Sequence, residues 1–308
     1  MQFERDIADL LSGRRQGHMA QWEGWASRHV SPKADIPDAH YLLRAEIGTI
    51  NRAAHQSAIE TALRSIDTVV ELGPGSPESI AGKTLPFLAH ARRYIAVDQA
   101  AHQAYGAAEQ VLRATRLETE AVISDYYNPP IPKQGRGRTA FVMWGGAIGN
   151  IAGRAGSDPL PGLLSELGAL AANCNPGDVV FAGIDTEDDL AKLNAAYNCA
   201  LLSRKFLSVL FAAKKFGLTS GDFRPESWSH KSVWHKAARQ CAHYLIAGED
   251  QDFAIGSERL RIHAGYSVIT NNSYKFTQDA IRMAARTAGF SRVVVTDDRP
   301  MALLMATR

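Results

Sequence analysis

The sequence predicts an α/β protein, a doubly wound, Rossmann-like parallel sheet carrying a smaller α+β addition. Three observations point there. From Asp67 onward, five short apolar runs alternate with stretches able to form helices. The first of these runs ends in a Gly-Pro-Gly turn. With 308 residues and 45% hydrophobic content, the chain holds enough apolar surface for a large core and a smaller one beside it. Strands that are apolar throughout, rather than alternating, must be covered on both faces, which is the condition of a parallel sheet with helices packed on it.

In chain order, residues 1–66 read as a helical lead-in with polar breaks. Pro32 and Pro37 bracket a loop, and Tyr41 to Ile66 lacks proline and has only Gly48 as a breaker. Residues 67–185 carry the apolar runs: Thr68–Leu72, Arg93–Asp98, Ala121–Asp125, Thr139–Trp144 and Asp178–Asp185. Helix-capable segments such as Leu160–Ala172 lie between most of them. Residues 186–276 form a second region. Leu190, Leu193, Ala196, Tyr197 and Leu201 recur at helical spacing, and 241–276 reads as antiparallel strands with polar turns. Residues 277–308 return to the first region with a helix over Thr277–Ala288. Two strands, Val293–Val295 and Ala302–Met305, then suit an antiparallel edge of the main sheet.

The bulk composition excludes several classes. A net charge of +2 without a basic stripe argues against nucleic acid as a partner. The three cysteines, Cys174, Cys199 and Cys241, are widely spaced and form no CxxC, which fits a reducing compartment and no disulfide framework. The charged stretch Met1–Leu11 lacks a signal-peptide pattern, and no apolar run is long enough to span a bilayer. The expected location is cytoplasmic, with no membrane partner. His230, His235 and His243 lack the spacing of a metal motif, so no metal is expected.

The chemistry-bearing residues sit where the predicted strands end. Glu71 and Leu72 lead into Gly73-Pro74-Gly75, where glycine lets the backbone turn tightly and approach a ligand. Asp98 ends the second run, placed to take both hydroxyls of a ribose, and Asp125 ends the third, placed to meet an adenine amino group. A dinucleotide site needs a third glycine at the following helix, where Glu78 stands here and would repel a pyrophosphate. S-adenosylmethionine has no phosphate and carries a sulfonium cation, so it tolerates that acid. The bland alternative is a tight glycine turn with both aspartates capping helices. Gly145 to Asn150 follows the fourth run. There Asn150 offers both a donor and an acceptor, or else ends a turn in the left-handed conformation.

Taken in order, these segments resemble the histidine-specific, S-adenosylmethionine-dependent methyltransferases of ergothioneine biosynthesis and their relatives. The resemblance spans roughly residues 67–308. Glu71 to Gly75 is similar to that family's ELGxG turn, Asp98 to its strand-ending aspartate, and Asp125-Tyr126 to its Asp-aromatic pair. Gly145 to Asn150 is similar to GSTIGN, and Asp185 through Ala196-Tyr197 to the D-x-x-K/D…L-x-x-AY segment. Phe223 to Trp228, with His230 and Trp234, is similar to the F-x-x-x-x-F-x-H-x-x-x-W stretch, and Thr270 to Phe276 to T-E-x-S-x-K-F/Y.

The resemblance implies a class I methyltransferase-type sheet with a substrate-binding cap, S-adenosylmethionine as cofactor, and N-methylation of a free amino acid or amino-acid-like small molecule. It implies cofactor contacts from Glu71, Gly73, Gly75, Ser79, Asp98, Asp125, Tyr126 and Gly145. It places Asn150 and Tyr197 on the amino acid's α-carboxylate and amino end, and Asn271 and Ser273 on the side chain. Tyr41, in a stretch similar to L-P-E-Y-Y…R-x-E, would line the cofactor mouth and the substrate.

Several positions depart from the family pattern. Asn271 stands where the family has the glutamate that reads an imidazole, and His243 stands at a usually apolar pocket position. Ser79 lies where a basic residue is common, and the N-terminal Tyr-Asp…Gly-Ser…Leu-Phe motif is not recognisable in residues 1–35. His243 is a candidate base or side-chain contact, with a packing role as the plain alternative. A neutral amide cannot pair with an imidazolium as a carboxylate does, so the altered pocket admits a side chain other than histidine's. Competing readings are a methyltransferase acting on a ring nitrogen or carboxylate of a natural-product intermediate, a non-catalytic S-adenosylmethionine-binding protein, and a nicotinamide oxidoreductase.

Overall fold

A computed structural model of the chain describes residues 2–17, 40–75, 79–124 and 137–308. The chain divides into two compact units. One comprises Tyr41–Gly149, Leu160–Glu187 and Lys275–Arg308, the other Met1–His40, Asn150–Pro159 and Asp188–Tyr274.

The first unit is built on a seven-stranded sheet in the order β12-β13-β5-β4-β1-β2-β3. Strands β1 (Ile66–Leu72), β2 (Arg93–Asp98), β3 (Glu118–Ile123), β4 (Arg138–Met143) and β5 (Val179–Asp185) run parallel to their neighbours. The closing hairpin, β12 (Arg292–Val295) and β13 (Met301–Thr307), joins β5 through an antiparallel β13. This is the predicted doubly wound sheet with its predicted antiparallel edge. Every residue of β5 is buried, as its uninterrupted apolar run requires.

Helix α2 (Tyr41–Ala54) buries Ile50 and Ala53, and α4 (Ala101–Thr115) buries Ala104, Ala107 and Val111. Both helices share a core with Val69, Tyr94, Val142, Phe181, Leu303 and Met305. Helices α3 (Ser57–Leu63), α5 (Leu160–Asn173) and α8 (Gln278–Thr287) complete the unit, the last capped by the Thr277 hydroxyl, which accepts from Ala280 N–H at 3.2 Å. The described residues between β1 and β2 include two tight turns. A π-turn, Ile80–Thr84, runs into a 3₁₀ turn, Leu85–Leu88. Gly82 and Pro86 both disfavour an α-helix interior, and a Cβ at Gly82 would lie 2.6 Å from Ile47 of α2.

The second unit carries α1 (Gln2–Leu11), α6 (Leu190–Tyr197), α7 (Ala200–Lys215) and two three-stranded antiparallel sheets. One sheet has the order β10-β9-β6, from Glu258–Ile262, Gln251–Ile255 and Thr219–Gly221. The other has the order β11-β8-β7, from Ser267–Tyr274, Gln240–Ala247 and Trp228–His235. Ile7, Leu10 and Leu11 of α1 pack with Phe206, Val209 and Leu210 of α7 and with Trp228, Leu245 and Phe253. Each such fully buried aliphatic contributes on the order of 1.5–3 kcal/mol. Strand β7 has no sequence forecast, because its alternation is broken by Ser229, His230 and Ser232. It is held as the outer partner of β8.

Candidate functional site

In the first unit, strand order reverses between β1 and β4, because successive strands proceed outward from β1 on one side and from β4 on the other. A ligand crevice in such sheets lies beyond the carboxyl ends of the strands at that point. The two glycine-rich turns of the sequence follow these two strands. Gly73 and Gly75 have φ of 69° and 74°, and Gly145 and Gly146 have 75° and 64°, values a side chain would strain. The first turn is tied to β2 by the Gly73 N–H donating to Val97 O at 2.9 Å.

Glu71 is fully buried. Its Oε2 accepts from the Tyr94 hydroxyl at 2.5 Å and its Oε1 from the Thr84 hydroxyl at 2.7 Å. Burial pushes its carboxyl up to about 7, against the lowering effect of those two bonds. Glu71 therefore shapes the turn from behind, with both oxygens engaged. Ser79, one turn on, is buried as well.

Asp98 stands half-buried at the end of β2, its Oδ1 accepting from Ala100 N–H at 2.7 Å, which holds the turn into α4. Lys83 is the first basic residue after the glycine turn. It is 3% exposed and its Nζ is 2.8 Å from Glu46 Oε2, so it is not presented to a phosphate. A half-exposed carboxylate, a glycine turn and a committed lysine fit a nucleoside that lacks phosphate and carries a cation, and S-adenosylmethionine is such a group. Glu78, Asp125 and Tyr126, all expected to bear on the choice or binding of the cofactor, lie outside the described residues.

Glu46 also fixes the second glycine turn, accepting from Gly145 N–H at 2.8 Å with each oxygen. It occupies the space above β5, where a Cβ at Gly183 would lie 1.6 Å from its Oε1. Glycine inside that strand is thus a packing requirement. A second buried ion pair closes the end of β5. Lys275 Nζ lies 2.8 Å from Asp185 Oδ2. The Tyr41 hydroxyl donates to the same carboxylate at 2.8 and 3.0 Å, and Glu187 N–H donates to Oδ1 at 3.1 Å.

The second unit brings five of the sequence candidates together. Asn150 and Asn271 meet through Asn271 Nδ2 and Asn150 Oδ1 at 3.5 Å, the limit of a hydrogen bond. Tyr197 and Ser273 meet through their hydroxyls at 3.3 Å. Asn271 is the cross-strand partner of His243, and the Tyr197 and His243 rings meet edge to face with centroids 5.3 Å apart. The left-handed turn considered for Asn150 is not realised, because its φ is not positive.

His243 is 1% exposed. Its Nδ1 is 3.1 Å from His230 Nε2, and His230 Nδ1 is 3.1 Å from the Ser203 hydroxyl. Phe206 stacks on both imidazoles, with centroids 4.9 and 4.3 Å away. Burial holds His230 down at about 4, so that ring is neutral at physiological pH. Sequence reasoning gave no site role to His230, Ser203, Glu46 or Lys83. A buried polar pair becomes visible only once its partner is known, and Glu46 and Lys83 are 37 residues apart.

The switch-point crevice and its half-exposed aspartate define a class I S-adenosylmethionine-dependent methyltransferase. The chain belongs to the histidine-specific, SAM-dependent methyltransferase family, whose model matches residues 36–306. No curated protein matches it significantly. Among solved structures it is similar to an S-adenosylmethionine-dependent methyltransferase from Clostridium acetobutylicum ATCC 824, at 9% identity and a TM-score of 0.44, covering 86% of this chain and 91% of that one. It is also similar to an amino pentose methyltransferase from Micromonospora echinaspora involved in calicheamicin biosynthesis, at 12% identity and a TM-score of 0.43, covering 92% and 95%. A third is a 1,6-didemethyltoxoflavin N1-methyltransferase from Burkholderia thailandensis, at 12% identity and a TM-score of 0.38, covering 90% and 92%. Among the described residues no helix is long and apolar enough to cross a membrane.

Proposed function

We propose that this methyltransferase N-methylates a free amino acid, or a small molecule like one, whose side chain is read by neutral groups. The observation that carries this reading is the meeting of Asn150 and Asn271 beside Tyr197, Ser273 and His243. Asn150 and Tyr197 hold the α-carboxylate and amino end. Asn271 and Ser273 contact the side chain, and His243 forms its wall or accepts a proton from it. None of these five side chains is a carboxylate, and the neighbouring His230 is neutral. A cationic side chain would therefore lose hydration without gaining a counter-charge.

S-adenosylmethionine, when bound, supplies a methyl group on a cationic sulfur, open to in-line attack. Asp98 holds its ribose, and the Gly73–Gly75 and Gly145 turns let the backbone approach it. The remaining task is orientation, which in well-aligned systems supplies up to ~7–11 kcal/mol. A free α-amine has a pKa of about 7.7–8.0, so an appreciable fraction is already the neutral nucleophile near pH 7.5, without a dedicated strong base. Where the Tyr197 hydroxyl donates its hydrogen bond to Ser273 Oγ, its oxygen is left to accept from the amine N–H, which orients the nitrogen lone pair for attack on the methyl group.

The test is to incubate the purified enzyme with S-adenosylmethionine and a panel of amino acids, histidine and modified ones included, and to read products by mass spectrometry. A gain of methyl on the amino group of one amino acid is expected. Methylation confined to a ring nitrogen or a carboxylate would reject the amine assignment. No product on any of them, with cofactor still bound by calorimetry, would reject the amino-acid assignment and favour a non-catalytic role.

A further inference from the structure

Strand alternation gives β11 two polar faces. Asn271 and Ser273 belong to the one used above. Asn272 and Tyr274 belong to the other, where they are 0% and 1% exposed. Burying an amide and a phenol there is costly unless they are satisfied, and the segment that follows Asn150 satisfies the Asn272 NH₂ and the Tyr274 hydroxyl, while Asn272 Oδ1 has no partner among the described residues.

Asn272 Nδ2 donates to Ile151 O at 3.0 Å and to Gly153 O at 2.9 Å. Only the NH₂ end of the amide can face two carbonyls, so its orientation is fixed by its surroundings. The Tyr274 oxygen lies 2.9 Å from Ser157 Oγ and accepts from Gln240 Nε2 at 3.0 Å. Gln240, fully buried on β8, also donates to Arg154 O at 3.0 Å and accepts from Gly156 N–H at 2.7 Å.

Three buried side chains thus fasten a segment that has no helix or strand of its own. A further stretch of chain is stitched in beside it. Gly153 N–H donates to Gln16 O at 3.1 Å and Gly17 N–H to Ile269 O at 2.7 Å. A Cβ on Gly17, whose φ is +73°, would lie 2.2 Å from Asn272 Nδ2 and 2.7 Å from Gly153 O, so only glycine fits.

We propose that Asn272, Tyr274 and Gln240 are positioning residues, a brace that presents Asn150 to Asn271 by fixing the backbone of residues 151–157. The same strand that reads the side chain thereby sets the place of the α-carboxylate anchor. Register makes this coupling strict, because a slip of one residue would exchange the two faces of β11. The inference rests on Asn150 being a substrate anchor, as argued above.

Asn272→Asp places a carboxylate against two carbonyl oxygens and tests it. Hydrogen exchange needs no substrate and reads the brace directly. Amides of 151–157 are expected to exchange about tenfold faster or more, with the seven-stranded sheet unchanged. With an equimolar mixture of the standard amino acids as substrate, KM for the amino acid methylated is expected to rise by about tenfold or more, with kcat changed less and S-adenosylmethionine affinity unchanged.

Unchanged local exchange would overturn the brace. So would faster exchange with an unaltered KM in a protein whose KM does respond to Asn150→Ala. If Asn150→Ala itself leaves KM unaltered, the anchor reading fails instead, and exchange alone decides the brace. Tyr274→Phe removes a single hydroxyl from a buried ring and keeps the test available should Asn272→Asp not fold. Its expected effect is faster exchange confined to residues 154–157, and no change there would likewise overturn the brace.

Discussion

Removing the ammonium of Lys275 isolates what the buried pair at the end of β5 contributes. Lys275 is 0% exposed and the Asp185 side chain 3%, so water does not replace either partner. Lys275→Met keeps the length of the side chain and takes the ammonium away from the Asp185 carboxylate, which still accepts from the Tyr41 hydroxyl and the Glu187 N–H. Breaking a buried ion pair on one side costs about 3–5 kcal/mol, most of it the desolvated charge left behind. That corresponds to a fall in Tm of the order of 10 °C for the unit concerned. Adding Asp185→Asn, which keeps an acceptor for Tyr41 and Glu187, removes the buried charge. The double variant should then recover about 2 kcal/mol or more relative to Lys275→Met. Urea unfolding of the four proteins of the cycle measures this. A Lys275→Met cost below about 1 kcal/mol, or a double variant no more stable than the worse single one, would refute the argument that the charges are paired and dry.

Three further outcomes follow from the same geometry. Glu71, raised from 4.5 to about 7, keeps a proton in the folded state that the unfolded chain releases. Its stabilising effect is complete below about pH 4.5 and is lost as pH rises through 7, a decline of about 3 kcal/mol. Glu71→Gln should cancel that decline, and a wild-type-to-variant stability difference that stays flat between pH 4.5 and 8 in denaturation curves would contradict it. Asp98→Ala should weaken S-adenosylmethionine at least ~100-fold by calorimetry, through two lost hydrogen bonds to a charged group. Unchanged affinity would remove Asp98 from the cofactor site. Asn271→Glu should shift methylation toward histidine in competition assays, and an unaltered preference would count against placing residue 271 at the substrate side chain.

The main sheet was legible because burial on both faces writes itself into sequence as unbroken apolar runs. Arg93–Asp98 matches β2 residue for residue, and the closing strands fall where Val293–Val295 and Ala302–Met305 place them. Boundaries that depend on hydrogen bonding rather than burial were less legible. The third run is displaced, since β3 covers Glu118–Ile123, an edge strand that carries the exposed Glu118 and the half-buried Glu120. The π-turn Ile80–Thr84 was not legible, because its Gly82 is set by close packing against Ile47 rather than by an apolar repeat. Of the candidate site, the residues that lie on strands or helix ends came together: Asn150 with Asn271, and Tyr197 with Ser273 and His243. The pairs Glu46–Lys83 and Lys275–Asp185 were not legible as pairs, because their meaning lies in partners far along the chain.

The departures from the family pattern acquire a common physical sense in this arrangement. A carboxylate at position 271 would have to accept, and could not donate to Asn150 Oδ1 as the amide does. Asparagine there carries no charge and makes the contact with Asn150, which under the proposed assignment joins the side-chain reader to the carboxylate anchor. His243, directly across the ladder, then has no anion in its cross-strand partner, and it instead shares a hydrogen bond with a neutral His230 under the ring of Phe206. Each change alone would be hard to accommodate. An imidazole at 243 would face a glutamate at 271 directly across the ladder, and an apolar residue at 243 would leave His230 Nε2 without this partner. Under the proposed assignment the two positions act as one, giving a pocket that selects by hydrogen bonding and ring contact. In that form, discrimination comes from polar groups a wrong side chain would leave unpaired, which is the stronger kind of selectivity for a small substrate.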